Sequence, residues 1–287
     1  MKALLQVRPM LRPDLPFANS LRALAGWNQT QADWRRFLKM QPQGCFLAQW
    51  DGERAGTATT MVYGSDLAWI GMVLVHPEYR RRGIGRGLLL KCIEYLQACG
   101  VRCIKLDATP QGRAVYEYLG FKEEWTLRRW EAEFSAPAGE KPDSHIRAWR
   151  KADALRFDPR DARAFGASRR ELILELARQS HRALTYESKR DVPIGCGLLR
   201  RGAQASYLGP VSATSPRAGM ALIEALIAQG RSGRVFWDIP DLNGPAVDWA
   251  ERHGFRVQRS LTRMWLGNNG RAGNPLKQFA LAGPELG

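Results

Sequence analysis

The sequence predicts an α/β (α+β) chain built as two successive units of like order. Three observations carry this. Apolar residues alternate along the chain between the strand period of two and the helix period of 3.6. The order of elements in the first half returns in the second. A stretch rich in proline and glycine, Ser135-Ala-Pro-Ala-Gly-Glu-Lys-Pro-Asp-Ser144, divides the two. The 287 residues suit two domains of about 140 residues each. The expected partition is a unit over residues 1–134, a linker over 135–145 and a second unit over 146–287.

In the first unit, Leu4–Val7 reads as a strand. Asp14–Gly26 reads as a helix with Phe17, Leu21 and Leu24 on one face. Thr30 followed by Asp33 has the form of a capping box, opening a helix that carries Trp34, Phe37 and Leu38. Cys45–Trp50, the Asp51-Gly52 turn and Arg54–Tyr63 form a predicted hairpin. Leu67–Val75 is an apolar strand. Gly83–Cys99 is an amphipathic helix whose Leu89, Cys92, Ile93 and Leu96 share a face, with Gly100 as its stop. Arg102–Ala108 is a strand, Gly112–Leu119 a short helix halted at Gly120, and Phe121–Phe134 holds a final strand or two.

The second unit follows the same order. Ser168 with Glu171 reads as a cap before Leu176 and Ala177. Val192–Leu199 and Ala205–Val211 are strands, and Pro216–Gln229 is a helix with proline at its start. Arg234–Ile239 is a strand, and Gly244–His253 is a helix stopped by Gly254. Ala68-Trp-Ile-Gly-Met-Val matches Ser206-Tyr-Leu-Gly-Pro-Val, and Tyr118-Leu-Gly-Phe121 matches Arg252-His-Gly-Phe255. Asp107 and Asp238 both close the strand before the last helix. A duplicated unit of domain size accounts for the shared order.

Composition narrows the function. Apolar residues are 45% and charged residues 25%, ordinary for a globular protein. No apolar run approaches the roughly 20 residues of a membrane span, and Met1–Arg12 lacks the form of a signal peptide. The expectation is a cytoplasmic protein that engages no membrane. Five cysteines without a C-x-x-C pair, and four scattered histidines, predict neither a disulfide framework nor a metal site. The net charge of +15 comes from basic residues dispersed along the chain, with no basic aromatic motif. It is read as a solvated surface with some charge reserved for a phosphorylated ligand, and no nucleic-acid partner is expected.

The most informative stretch is Val73-Leu-Val-His-Pro-Glu-Tyr-Arg-Arg-Arg-Gly-Ile-Gly-Arg-Gly-Leu88. Pro77 ends a strand, a basic turn follows, and Gly83 and Gly85 open a helix. Glycines let backbone N–H groups converge on an anion, the helix start adds partial positive charge, and Arg80, Arg81, Arg82 and Arg86 can neutralise phosphate. This is a device for holding a pyrophosphate. A dinucleotide fingerprint does not fit, because Leu88 stands where the third glycine belongs, and no Walker lysine follows.

The pattern Arg80-x-x-Gly83-x-Gly85 after Val-x-Val-His-Pro resembles the acetyl-CoA loop of the GNAT superfamily of N-acetyltransferases. The segment Asp107-Ala-Thr-Pro-Gln-Gly-Arg-Ala-Val-Tyr116-Glu-Tyr-Leu-Gly-Phe121 resembles that family's last motif, with Thr109 where an asparagine often stands. The resemblance implies tandem mixed, twisted sheets flanked by helices. In the first, the fourth and fifth strands would splay, and pantetheine would lie in the gap against the free edge of the fourth. It implies acetyl-CoA as acetyl donor and no metal. It assigns cofactor contacts to Val73, Leu74, Val75, Arg80–Arg86 (with Gly83, Ile84 and Gly85) and Thr109, and the proton donor to Tyr116. The second unit resembles a degenerate copy, of the kind appended in some bacterial two-domain acetyltransferases. Its loop Ser212-Ala-Thr-Ser-Pro-Arg-Ala218 has neither glycine, and Ala250 stands at the tyrosine position.

The implied reaction is direct attack of a primary amine, expected on a small molecule, on the thioester in a ternary complex. The amine must first lose a proton, since its pKa is about 10.4. Asp66, Asp107 or a water chain could take it, and the sequence singles out none. Trp27, Asn28 and Trp69 are candidates for the acceptor pocket, with Trp27 and Trp69 equally readable as core. Phe165 and Arg169 are placed at a cleft between the units. A monomer or homodimer is expected. The alternatives are a protein lysine or N-terminal acetyltransferase, a non-catalytic CoA sensor, and a nucleic-acid binder.

Overall fold

The computed structural model describes residues 4–134, 143–230, 232–270 and 272–287. The segment read as a linker lies mostly outside the described residues. The first half runs β1 (Leu5–Pro9), α1 (Leu15–Leu24), α2 (Gln31–Met40), β2 (Cys45–Trp50), β3 (Glu53–Tyr63), β4 (Leu67–Val75), α3 (Ile84–Ala98), β5 (Cys103–Ala108), α4 (Pro110–Tyr118) and β6 (Lys122–Phe134). The second runs β7 (Ile146–Ala148), α5 (Asp153–Phe165), α6 (Arg170–Arg178), β8 (Ser180–Glu187), β9 (Pro193–Arg200), β10 (Ser206–Ala213), α7 (Pro216–Ala228), β11 (Gly233–Pro240), α8 (Gly244–Arg252), β12 (Arg256–Gly267) and β13 (Gln278–Ala280).

The two halves share one mixed sheet, ordered β1-β2-β3-β4-β5-β12-β6-β11-β10-β9-β8-β7, with β13 also on β10. The halves have exchanged their long last strands. β12 lies antiparallel on β5, from Thr262 opposite Ala108 to Gly267 opposite Cys103. β6 lies antiparallel on β11, from Phe134 opposite Gly233 to Leu127 opposite Pro240. β6 and β12 pair with each other at the centre. The residues read as a final strand or two are thus one strand, and it completes the sheet of the other half.

Two pairs of ion pairs repeat across the halves. Arg263 on β12 holds Asp107 on β5 through two hydrogen bonds of 2.8 and 2.9 Å. Arg129 on β6 holds Asp238 on β11 through two of 2.7 Å. At the start of each half, Arg8 forks onto Asp14 at 2.7 and 2.9 Å, and Arg147 onto Asp153 at 2.7 and 2.8 Å. Asp14 and Asp153 also accept the backbone N–H three residues upstream, so each aspartate ties a first strand to the entry of a first helix.

Local chemistry explains the helices. The Thr30–Asp33 cap forms as expected, the Thr30 N–H donating to Asp33 at 2.6 Å. Helix α3 buries Ile84, Leu88, Leu89, Cys92, Ile93 and Leu96 against the first-half sheet, and α7 buries Leu222, Ile223 and Leu226 against the second. The expected cap at Ser168 is a correction: α6 begins at Arg170, and the Ser168 hydroxyl donates instead to Asp158 at 2.7 Å. Between the halves a third cluster mixes both, with Trp34, Phe37, Tyr63 and Trp69 against Phe165, Leu172, Leu176 and Leu286.

Candidate acyl-transfer site

Strands β4 and β5 run parallel and in register only from Leu67 opposite Cys103 to Trp69 opposite Lys105. Beyond Trp69 they part. Among the described residues, the β4 edge from Ile70 to Val75 has no strand beside it on that side. Within this stretch Met72 adopts a left-handed φ of 51°, a conformation costing a non-glycine residue about 1 kcal/mol or more. The Thr57 hydroxyl holds it, donating to the Met72 carbonyl at 3.0 Å. The ladder with β3 shifts register here, leaving Met72 and Val73 without an opposite number.

The turn after β4 places Gly83 as the residue before α3, at φ 79°. Arg81 is also left-handed, at φ 62°. A side chain at Gly83 would meet no atom within 4 Å, so the space over the helix start is open. Arg82 stacks over Trp50 and Tyr79, and Arg86 over Tyr118, while Arg80 Nε donates to the Val75 carbonyl at 3.3 Å. Among the described residues, none of Arg80, Arg81, Arg82 and Arg86 pairs with a carboxylate. Uncommitted cations, an open glycine turn and the N-terminus of a 15-residue helix form a fitting seat for a diphosphate.

The gap opens into a cleft of about 600 Å³ including its mouth, lined by Ile70–Val73 of β4 and by Thr109 and Tyr116 of α4, among others. Thr109 caps α4, accepting from the Gly112 N–H at 3.2 Å. Tyr116 packs edge-on against Phe121, with ring centres 6.1 Å apart. Burial, helped by Cys92, pushes its phenol up to about 12, so it remains protonated across the neutral range.

The acceptor-side expectations divide. Trp27 lines the cleft. Asn28 does not: its amide donates to the Ala205 carbonyl and accepts from the Gln204 and Ala205 N–H groups, fastening the α1–α2 loop to the second half. Trp69 is core, 1% exposed, and donates to the Pro284 carbonyl. Phe165 and Arg169 lie at the seam but not in the cleft. Arg169 forks onto Asp161 and reaches the Gly287 carbonyl. Asp107 is committed to Arg263, and Asp66 is paired with Arg102.

Among the lining residues that sequence reading missed are Gln29 and Glu285. They are 256 positions apart and joined by a 2.6 Å hydrogen bond from Gln29 Nε2 to Glu285. The segment bearing Glu285 crosses β4 at Gly71, where an added Cβ would lie 2.7 Å from the Glu285 Cα. Only glycine permits that crossing. Tyr63 and Trp69 hold the segment by its Leu286 and Pro284 carbonyls. Burial raises the Glu285 carboxyl above the usual range, against the pull of Arg200 and Arg129.

In the second half the corresponding gap is filled. β10 and β11 pair only from Ser206 to Leu208, but β13 then lies on the β10 edge, with Ala280 opposite Val211. Phe279 packs so closely on α7 that a Cβ at Gly219 would lie 2.4 Å from its ring. The chain itself occupies the place that is open beside β4.

Comparison with known proteins assigns residues 6–121 to the acetyltransferase (GNAT) family and residues 159–280 to a second acetyltransferase (GNAT) domain. The uncharacterized N-acetyltransferase YitH of Bacillus subtilis is 30% identical over 231 residues, 80% of each chain. The [ribosomal protein bS18]-alanine N-acetyltransferase of Escherichia coli is 38% identical over 82 residues, 28% of this chain and 54% of that one. A putative acetyltransferase from Pyrococcus horikoshii superposes with a TM-score of 0.85 at 24% identity, over 99% of this chain and 96% of the other. With an open glycine turn and splayed strands in one half and a plugged gap in the other, this chain belongs to the GNAT acetyltransferases, as a two-domain member.

Proposed function

We propose that the protein is an acetyl-CoA-dependent N-acetyltransferase that acts on the primary amine of a small molecule, in a ternary complex seated in the cleft beside β4 of its first half. The observation that carries this is the pairing of an unoccupied β4 edge with the open turn at Gly83 and the phenol of Tyr116 in one cleft.

The bound acetyl donor supplies an activated thioester carbonyl. The turn from Arg80 to Arg86 binds phosphate through backbone N–H groups and guanidinium charge. The Val73–Val75 edge takes an extended amide chain as an added strand would be taken. The N–H groups at Met72 and Val73 are placed to polarise a carbonyl oxygen in the gap. The Tyr116 hydroxyl holds a proton for the departing sulfur. Glu285 and Arg259 line the cleft from the second half, which supports a pocket closed over a small acceptor. The match to the ribosomal-protein enzyme, at 82 residues, is too short to contain both Gln29 and Glu285, so it says little about the acceptor.

The decisive experiment is coenzyme A binding by calorimetry with free-thiol release across a set of amines. Gly83→Glu places bulk and negative charge where the phosphates sit, and is expected to remove measurable coenzyme A binding. Unchanged affinity in that variant would refute the site.

A further inference from the structure

The cleft contains a carboxylate and an amide oxygen that the bound donor does not need. Glu285 accepts from Gln29 Nε2 at 2.6 Å. That contact fixes the Gln29 amide with its nitrogen toward the carboxylate and its oxygen away. Gln29 Oε1 is then buried without a hydrogen-bond partner among the described residues, although Gln29 is only 8% exposed. A buried, unsatisfied acceptor is destabilising and rare in folded proteins. Both residues line the cleft with Met72, Val73 and Tyr116. An alkylammonium is the chemical group that two adjacent acceptors, one of them anionic, would hold.

We propose that Glu285, delivered by the second half, is the catalytic base of the first: its carboxylate and Gln29 Oε1 receive the acceptor's ammonium, and the carboxylate takes the proton. In that step one N–H bond of the ammonium breaks and one O–H bond forms on Glu285. The electron pair left on nitrogen forms the C–N bond to the thioester carbon as the C–S bond breaks; Tyr116 gives its proton to the departing sulfur and recovers one from the second proton that the nitrogen sheds. Glu285 then returns the proton to solvent, giving the single proton released overall. This rests on the acetyl-transfer reading above and names the residue that reading lacks.

The surroundings suit a carboxylate that is a stronger base than an exposed one. Arg200 on β9, Arg129 on β6 and Asp33 on α2 act on Glu285 through their charge. Glu285 in turn acts on Arg259 of β12 and on the phenols of Tyr63 and Tyr207. Asp107 lines the same cleft but is occupied by Arg263. Burial outweighs the cations and raises the carboxyl, which strengthens it as a base while leaving it ionised at higher pH.

The test uses the full chain, coenzyme A binding, and acetyl transfer to 1-aminobutane from pH 6 to 10. A base of lower pKa than the amine gives the wild type a plateau in kcat/KM between the two pKa values. Glu285→Gln is expected to bind coenzyme A unchanged and to lose about 10²-fold or more in kcat/KM at pH 7. Its profile should rise tenfold per pH unit toward the amine's own pKa, approaching wild type only there. Glu285→Asp should keep the plateau at a lower level. Turnover is not the sole readout. In the infrared spectrum of the coenzyme A complex, the carboxylate band lost in whichever of these variants still binds coenzyme A should shift in the wild type when butylammonium is added. A Glu285→Gln variant that keeps the plateau, or a wild-type band that ignores butylammonium, would overturn the assignment. Failure of the wild type to bind coenzyme A would instead sink the acetyl-transfer reading itself.

Discussion

Single residues carry the chemistry, and they differ in how openly the sequence displays them. Gly83, Gly85, Arg80 and Tyr116 sit in short runs whose spacing is itself the message, since a turn and the helix after it are local structures. Glu285 gave no such signal. It stands between Pro284 and Leu286 in an unremarkable stretch, and becomes a site residue only because the fold lays it over Gly71. Asn28 shows the reverse: a polar residue in the right loop, spent on the Gln204–Ala205 backbone. Tyr116→Phe tests the local reading. It keeps the ring against Phe121 and removes only the hydroxyl. The expected result is turnover lowered about 10²-fold with coenzyme A affinity intact, measured by thiol release and calorimetry. Equal turnover in both proteins removes Tyr116 from the chemistry.

At the level of elements, strands and helices bounded by glycine, proline or a capping box were legible, as with Thr30–Met40, Gly83–Ala98 and the Asp51-Gly52 hairpin. Those lacking such punctuation were not. Helix α5 contains Pro159, which breaks the sequence pattern of a helix. Strand β8 follows α6 after Gln179 alone, with no turn residue between. The repeated Arg–Asp fork also escaped notice, because Arg8–Asp14 and Arg147–Asp153 share spacing but not the residues between. These forks fasten the first strand of each half to its first helix, so each should matter for stability. Asp153 is 1% exposed and also accepts from Arg150 and Thr185. Burial opposes its ionisation, but the Arg147 hydrogen bonds and charge hold its carboxyl below the usual range. A depressed carboxylate stabilises the fold above its unfolded pKa of about 4, and that contribution is lost as pH falls through the lower folded value. Asp153→Asn is therefore expected to cost about 2–3 kcal/mol at pH 7. The gap from wild type should narrow below about pH 4. Urea midpoints across that range check both the size and the sign.

The whole molecule departs most from what composition and periodicity could say. Duplication was visible from Tyr118–Phe121 and Arg252–Phe255, but two beads on a linker is the simplest picture of duplication, and the strands do not follow it. β6 and β12 cross to opposite partners, a choice set by pairing between residues 99 or more positions apart. Neither half can then complete its sheet alone. Residues 1–134 expressed separately would expose β5 and both edges of β6, and are expected to aggregate. Co-expression with residues 143–287 is expected to give a soluble complex that binds coenzyme A. A monomeric first half that binds coenzyme A unaided would show that the exchange is dispensable.

The run from Gln278 to Gly287 joins these scales. Its front end wedges Phe279 into the slot of the second half, and six positions from that ring its far end sets Glu285 in the cleft that Tyr116 lines in the first. The retired copy thus serves as a jig for its working twin. What closed one workplace fixes the tool in the other, and the filled copy could not be discarded without disarming the open one.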